Sequence, residues 1–209
     1  PVDLVVMNSV AQYFPAPAHV EKVLLRIGAA LAGGGTAFLG DIRDHGLAGI
    51  FHASVLAFQS GGALPDRDDV ARAVAADEEL MLDPAWFHGL IGRIPGLAHV
   101  ETLIKRGRGD NELVRYRYDV MAVFGPAPAP IRPELTLPWP GPEALATRLA
   151  TVAGPVEVTD IPDARIADDT ARAMRLGLVP TTAAGDAADP DSLHELGLRL
   201  DRAVRLAPA

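Results

Sequence analysis

The chain has 209 residues, a formal net charge of −8 at pH 7, 49% hydrophobic residues and no cysteine. Its length and apolar share suffice for one sizeable core with an appendage, and its acidic balance excludes the basic surface that non-specific nucleic-acid binding needs. Without cysteine there is no disulfide, thiolate zinc site or cysteine nucleophile, a usage that fits a reducing, cytoplasmic setting, and no apolar run reads as a membrane span or a signal peptide.

Residues 2–7 are apolar apart from Asp3, the pattern of a strand covered on both faces, and the run stops at the polar pair Asn8-Ser9. Between 18 and 32, Val20, Val23, Leu24, Ile27 and Leu31 recur at helical spacing, and Gly33-Gly34-Gly35 stops that helix before a second buried strand at 36–41. Strand, helix, strand is a βαβ unit, which implies a parallel sheet with a right-handed crossover. The middle reads as three helices, 46–59, 67–81 and 83–94, the last with Asp83 as N-cap and Pro84 at the first helical position. Residues 98–107 and 113–125 read as two strands of an antiparallel hairpin joined by "RGDNE". The proline-rich segment 126–142 is extended and semi-rigid, a linker that closes a first domain at residue 125. The C-terminal extension, 143–209, is α/β: a helix over 143–151, a strand over 156–161, a helix opened by Pro162, a break near Gly185, a helix over 190–200 capped by Asp189, and a last strand in "RAVRLAP".

Several polar residues stand where chemistry is done in such folds. Asn8 and Ser9 lie at the carboxyl end of a parallel strand, where open α/β sheets bind ligands, although Asn and Ser also serve as helix caps. Asp41 and Arg43 end the next strand, as ligand groups or as a salt-bridged turn. His52 lies mid-helix among apolar neighbours, either packed or available to take a proton near neutral pH. The other five histidines share no spacing that suggests a metal site. Asn111, Glu112, Arg115, Tyr116 and Tyr118 form the densest polar cluster. On a strand of period two, Arg115, Arg117 and Asp119 face one way and the two tyrosines the other. Lys105, Arg106 and Arg108 make a basic spot, suited to a phosphate group or simply solvated, and 68–79 reads as a solvated helix face.

In order along the chain, "VVMNSVAQYFP", "GGGTAFLGDIRD", "FHASV", "LDPAWF", "KRGRGDNELVRYRYDV" and "IPDARIA" resemble the methyltransferase domains embedded in nonribosomal peptide synthetases. The resemblance runs from about residue 2 to about residue 206 and is weakest over 126–160. It implies a class I methyltransferase fold, a Rossmann-like doubly wound α/β sheet with an antiparallel closing hairpin and a small C-terminal α/β appendage. Residues 2–7 would be its fourth strand, near the middle of the sheet, with the N-terminal half absent. That half would hold the Gly-rich turn after the first strand; here Gly33–Gly35 precedes a strand instead, so the fragment alone is expected to hold cofactor poorly.

The resemblance further implies S-adenosylmethionine as cofactor and methyl transfer to an aminoacyl thioester on a peptidyl carrier protein, first of all to its amino nitrogen with oxygen and carbon acceptors left open, beside an adenylation domain and with no metal. Met7, Asn8, Ser9 and Tyr13 would line the cofactor. Gln12, His52, Asn111 and Glu112 would be the catalytic set, and Asp41, Arg43, Arg115 and Tyr116 would bind the acceptor. A tyrosine ring could steady the sulfonium by cation–π attraction. Two other readings stand beside this one: a non-catalytic insert that holds adenylation subdomains together, and a nicotinamide-dependent oxidoreductase, whose Tyr-x-x-x-Lys proton donor is missing.

Overall fold

Strand β1 (Leu4–Asn8) leads through a 3-10 turn (Ala11–Tyr13) into helix α1 (Pro17–Ala30), and strand β2 (Gly35–Asp44) returns parallel to β1, with Leu4 opposite Thr36 and Asn8 opposite Gly40. The expected βαβ unit is therefore present. The computed structural model describes residues 2–31, 33–180 and 186–208, so the break expected near Gly185 lies outside the described residues. After β2 come helices α2 (Ala48–Gln59) and α3 (Arg67–Ala75), strand β3 (Met81–Leu82), helix α4 (Pro84–His88), strand β4 (Leu97–Ile104), the single turn α5 (Glu112–Arg115) and strand β5 (Arg117–Phe124). The sheet order is β1-β2-β5-β4, with β5 antiparallel to both neighbours, and β3 pairs parallel with the far end of β2. It is a mixed α/β sheet, consistent with a Rossmann-like fold.

Hydrophobic burial explains the layers. Val20, Leu24 and Leu31 of the α1 region, Phe87 of α4, and Leu90 and Ile94 beyond it bury against Leu39, Ile42, Val100, Tyr118, Val120, Ala122 and Phe124 of the sheet. On β5 the buried residues alternate strictly, as a period-two strand with one core face must. Gly28 lets α1 approach the sheet: a Cβ there would stand 2.6 Å from Cε1 of Phe124.

Several expectations need correction. Among the described residues β1 is an edge strand; Leu4 and Val6 are each 58% exposed while Val5 and Met7 pack on the core, and the central place expected for it refers to a sheet with a further half. The third middle helix ends at His88 rather than 94, because Gly89 begins a series of turns in which Gly92 has φ +83°. The second ends at Ala75, six residues early, and after a loop Met81 and Leu82 form β3. The strands β4 and β5 do pair antiparallel, but the link between them is not a tight turn. Asn111 caps α5, its side-chain oxygen accepting from Val114 N at 3.1 Å. Arg115 is thus helical and Tyr116 lies outside the strand, so neither follows the alternation expected for 113–125.

The proline-rich segment contains a strand, β6 (Leu135–Pro138), paired parallel with β7 (Val156–Thr159). Helix α6 (Pro142–Leu149) lies between them, and α7 (Ala167–Arg175) and α8 (Pro190–Arg199) follow. Leu145, Leu193 and Leu196 form a core beside Trp139 and Val158. Asp189 caps α8 as expected, accepting from Asp191 N at 2.9 Å. Residues 202–208 form no strand; Arg202 donates to the carbonyls of Leu149 and Gly154, at 3.0 and 2.9 Å. Helix α7 rests on α2, where Ile50, Tyr116, Ile166 and Ala173 make a further core.

Asp44, buried at the end of β2, carries a pH dependence. Burial pushes its carboxyl up to about 6, although the backbone N–H of Gly46, 2.8 Å away, favours the charged form. The folded state therefore holds this proton more tightly than the unfolded state. Stability from it is complete below the ordinary carboxylate range and is lost as pH rises toward about 6, a fall of about 3 kcal/mol. Asp44→Asn keeps an oxygen for Gly46 N and removes the charge. Thermal unfolding is expected to give the variant a higher Tm than the parent at neutral pH, with the difference closing near pH 4. A difference that stays constant across that range would contradict the assignment.

Candidate functional site

An irregularity in the pairing of β2 with β5 lies beside the carboxyl end of β1. Leu39 pairs with Val120 and Ile42 with Tyr118, so Gly40 and Asp41 together stand opposite Asp119 alone. That is a β-bulge, which bends its strand and re-aims the extra residue. Asp41 takes up φ +62°, and Ser9, at the end of β1, takes up φ +56°. Left-handed backbone is uncommon for residues other than glycine and needs support from its surroundings.

The support is a hydrogen-bonded cluster. The Asp41 carboxylate, in a residue 5% exposed, accepts from Asn8 Nδ2 at 3.1 Å, from Ser9 Oγ and from Lys105 Nζ at 2.7 Å. Lys105 also reaches Asp119 Oδ1 at 2.8 Å, and that same oxygen accepts the backbone N–H of Asp41 at 3.0 Å. Burial alone would push the Asp41 carboxyl up, but Lys105, Ser9 and Asn8 outweigh it and hold it below its ordinary value. Burial would likewise lower the Lys105 ammonium, and the two aspartates instead raise it. The cluster sets one ammonium between two carboxylates.

A second network adjoins it. Arg43 and Arg117 face each other across β2 and β5, a like-charge pair that would repel if left alone. Arg43 donates to Asp77 at 2.8 Å and lies 3.3 Å from Glu79; Arg117 donates to Glu112, with Nε at 3.1 Å. His52 Nε2 meets the other oxygen of Asp77 at 2.9 Å. Burial opposes charge on Asp77, yet the Arg43 guanidinium, Glu79 N and His52 hold its carboxyl below the usual range. Two arginines here stand against three carboxylates. Leu80 N donates to Gln12 O at 2.7 Å, which ties the loop carrying Asp77 to the turn that follows Ser9.

Asn8, Ser9 and Asp41 come together as one cluster, and Arg43, His52 and Glu112 as part of the other. Gln12 is buried, at 4% exposure, and donates to Ser9 O at 3.3 Å; its Oε1 is buried with no partner among the described residues. Tyr13 is 71% exposed beside it. Met7 faces the core, not the cleft edge. Asn111 acts as a helix cap. Tyr116 is buried with its hydroxyl on Asp169 at 2.7 Å, and Arg115 also binds Asp169, so both brace α7 and neither lines the edge. The basic spot is consumed: Lys105 is inside the cluster, Arg106 lies 3.7 Å from Asp191 and Arg108 pairs with Glu195. Sequence reasoning missed Lys105, Asp119, Asp77, Glu79 and Arg117 as members of the site. The charge alternation of Arg117 and Asp119 on β5 was the available signal, whereas Asp77 sat in what read as a solvated helix face.

No protein-family model matches the chain. Over 208 residues it is 38% identical to "Probable non-canonical nonribosomal peptide synthetase (NRPS) CymA" of Salinispora arenicola, an alignment that covers 99% of this chain and 2% of that protein. Over 130 residues it is 42% identical to chondramide synthase cmdD of Chondromyces crocatus, covering 60% of this chain and 3% of the relative. Over 121 residues it is 40% identical to peramine synthetase ppzA of Metarhizium majus, covering 56% and 4%. The chain thus spans 2 to 4% of the length of these curated relatives.

The register makes one close approach testable. A Cβ on Gly40 would stand 1.9 Å from Asn8 Oδ1 and 2.9 Å from the Phe38 ring. Gly40→Ala is expected to cost about 1–3 kcal/mol by overpacking and to dislodge Asn8 from Asp41. In the Asn8→Ala background the same substitution should cost clearly less, read as coupling in a double-mutant cycle of urea unfolding. Additive losses would show that Asn8 is free to move away.

Proposed function

We propose that this chain is part of a methyltransferase domain of a nonribosomal peptide synthetase, and that it methylates the amino nitrogen of a carrier-bound aminoacyl thioester with S-adenosylmethionine. The observation that carries the reading is the hydrogen-bonded edge made by two left-handed residues, Ser9 just past the carboxyl end of β1 and Asp41 in the bulge of the parallel strand β2 beside it. Strained backbone at a strand-end edge is a mark of ligand sites in open α/β sheets. The similarity to synthetases supplies the setting, and the sequence resemblance supplies the chemistry.

The residues fit the sulfonium and acceptor side of that cofactor. Each network has one carboxylate more than it has cations, which favours a positively charged ligand. Gln12 Oε1 is a buried acceptor in want of a donor, and the exposed Tyr13 ring offers a cation–π face. Asn8, Ser9, Gln12 and Tyr13 would hold the group, and it would supply an activated methyl. Asp41, fixed by Lys105, orients Asn8 and Ser9 and holds negative charge at the edge. The acceleration expected from such a site comes from position and from a fixed polar environment.

Calorimetric titration of S-adenosylhomocysteine into the synthetase that carries this segment tests the reading, with the Asn8→Ala variant alongside. Binding that weakens about tenfold in the variant is expected for the loss of one buried hydrogen-bonding side chain. No binding to the parent synthetase would overturn the reading in favour of a non-catalytic insert.

A further inference from the structure

Among the described residues, His52 is the histidine that meets a carboxylate, and a buried arginine holds that carboxylate in place. Asp77 uses Oδ2 for His52 Nε2 at 2.9 Å. Its Oδ1 takes Arg43 Nη1 at 2.8 Å and Glu79 N at 3.0 Å. The Arg43 guanidinium in turn lies 5.2 Å from the centre of the Phe51 ring, which stands edge-on to the His52 ring with centroids 5.0 Å apart. Four groups from β2, α2 and the loop after α3 thus fix one imidazole in one orientation.

We propose that Asp77 is a positioning residue that sets the tautomer of His52, and that His52 Nδ1 is consequently the atom that takes the proton from an ammonium acceptor. The inference rests on the methyl-transfer reading above. An ionised carboxylate only accepts, so the ring nitrogen that meets Asp77 must carry the hydrogen. In the neutral ring Nδ1 is then bare, and it has no hydrogen-bond partner among the described residues. The charged groups around the dyad are Arg43 from β2, Asp77 and Glu79 from the loop after α3, Glu112 from α5 and Arg117 from β5. On the far side α2 meets Tyr116 through Ser54, with Asp169 of α7 behind it. An amine cannot be methylated while its lone pair is bound to a proton. In the proposed step one N–H bond of the ammonium breaks, its electron pair stays on nitrogen, and the proton passes to Nδ1. The imidazolium so formed is stabilised by the Asp77 carboxylate and later releases its proton to water.

The test reads the ring nitrogens directly. Long-range proton–nitrogen correlation spectra of this chain labelled at histidine are expected to give His52 as the Nε2–H tautomer near neutral pH. Asp77→Ala is expected to give a mixture of tautomers. In the synthetase, His52→Gln and Asp77→Ala are both expected to lower kcat about a hundredfold while S-adenosylhomocysteine affinity changes little. An Nδ1–H tautomer in the parent overturns the inference, and this reading needs no variant to fold. So does an unaltered spectrum in Asp77→Ala, or full kcat in His52→Gln; in each case retained S-adenosylhomocysteine binding leaves the methyl-transfer reading standing. A synthetase that binds no S-adenosylhomocysteine removes that reading, and the proton step with it, even where the tautomer is as expected.

Discussion

Lys105 between Asp41 and Asp119 is the interaction on which the cleft edge depends. Taking three charged groups out of water is costly, and an arrangement of this kind survives only with close geometry and further hydrogen bonds to its charges. Here the partners come from four places at once: β1 through Asn8, the bulge through Asp41 N, β5 through Asp119 and the end of β4 through Lys105. The same contacts hold Ser9 and Asp41 in the left-handed region. Without the lysine, two partly buried carboxylates would confront each other across the bulge, and neither strand end would have reason to keep its geometry.

The neighbouring network solves a different problem with the same means. A directly opposed arginine pair is a poor choice for a sheet. It becomes favourable because three carboxylates from outside the sheet reach in: Asp77 and Glu79 from the loop after α3, and Glu112 from α5. The two arginines therefore fasten two connecting segments onto the sheet, and the Leu80–Gln12 hydrogen bond fastens one of them to the turn after β1. Helices and loops that carry polar side chains are positioned by charge, while α1 and α4 on the core side are positioned by apolar burial. The division is physical: apolar burial is non-directional, whereas a charge-assisted hydrogen bond adds geometric specificity.

Much of the fold was legible because it follows periods that a sequence displays. The helical spacing of Val20, Leu24, Ile27 and Leu31, the glycine stop after them and the apolar strands on either side determine β1, α1 and β2. Asp83-Pro84 and Asp189-Pro190 announce two helix starts by capping chemistry alone. What escaped has no local signature. A bulge at Gly40–Asp41 arises from the pairing of β2 with β5, some 78 positions apart by the Asp41–Asp119 hydrogen bond. Lys105 reads as one more charge beside Arg106 and Arg108, and only the tertiary fold separates a largely buried lysine from two exposed arginines. β6 was hidden by the prolines around it, since a four-residue strand with a parallel partner beyond residue 155 shows no period of its own. Asn111 and Glu112 were noticed for their polarity, and that polarity serves a cap and an ion pair.

Arg115 and Tyr116 connect the C-terminal helices to the site through Asp169. Asp169, buried in α7, accepts from the Tyr116 hydroxyl at 2.7 Å, from Arg115 and from Arg172 at 2.6 Å. Burial and the adjacent carboxylate push the Tyr116 phenol up to about 12, so it remains a donor at any pH the fold meets. The Tyr116 ring stands edge-on to Phe51, with centroids 5.1 Å apart, and Phe51 stands edge-on to His52. A chain of contacts thus runs from α7 through Tyr116 to the face of α2 that presents His52. The aromatic and charged residues that seemed suited to touch an acceptor instead brace the helix that carries the imidazole, and α7 acts as a strut for that helix.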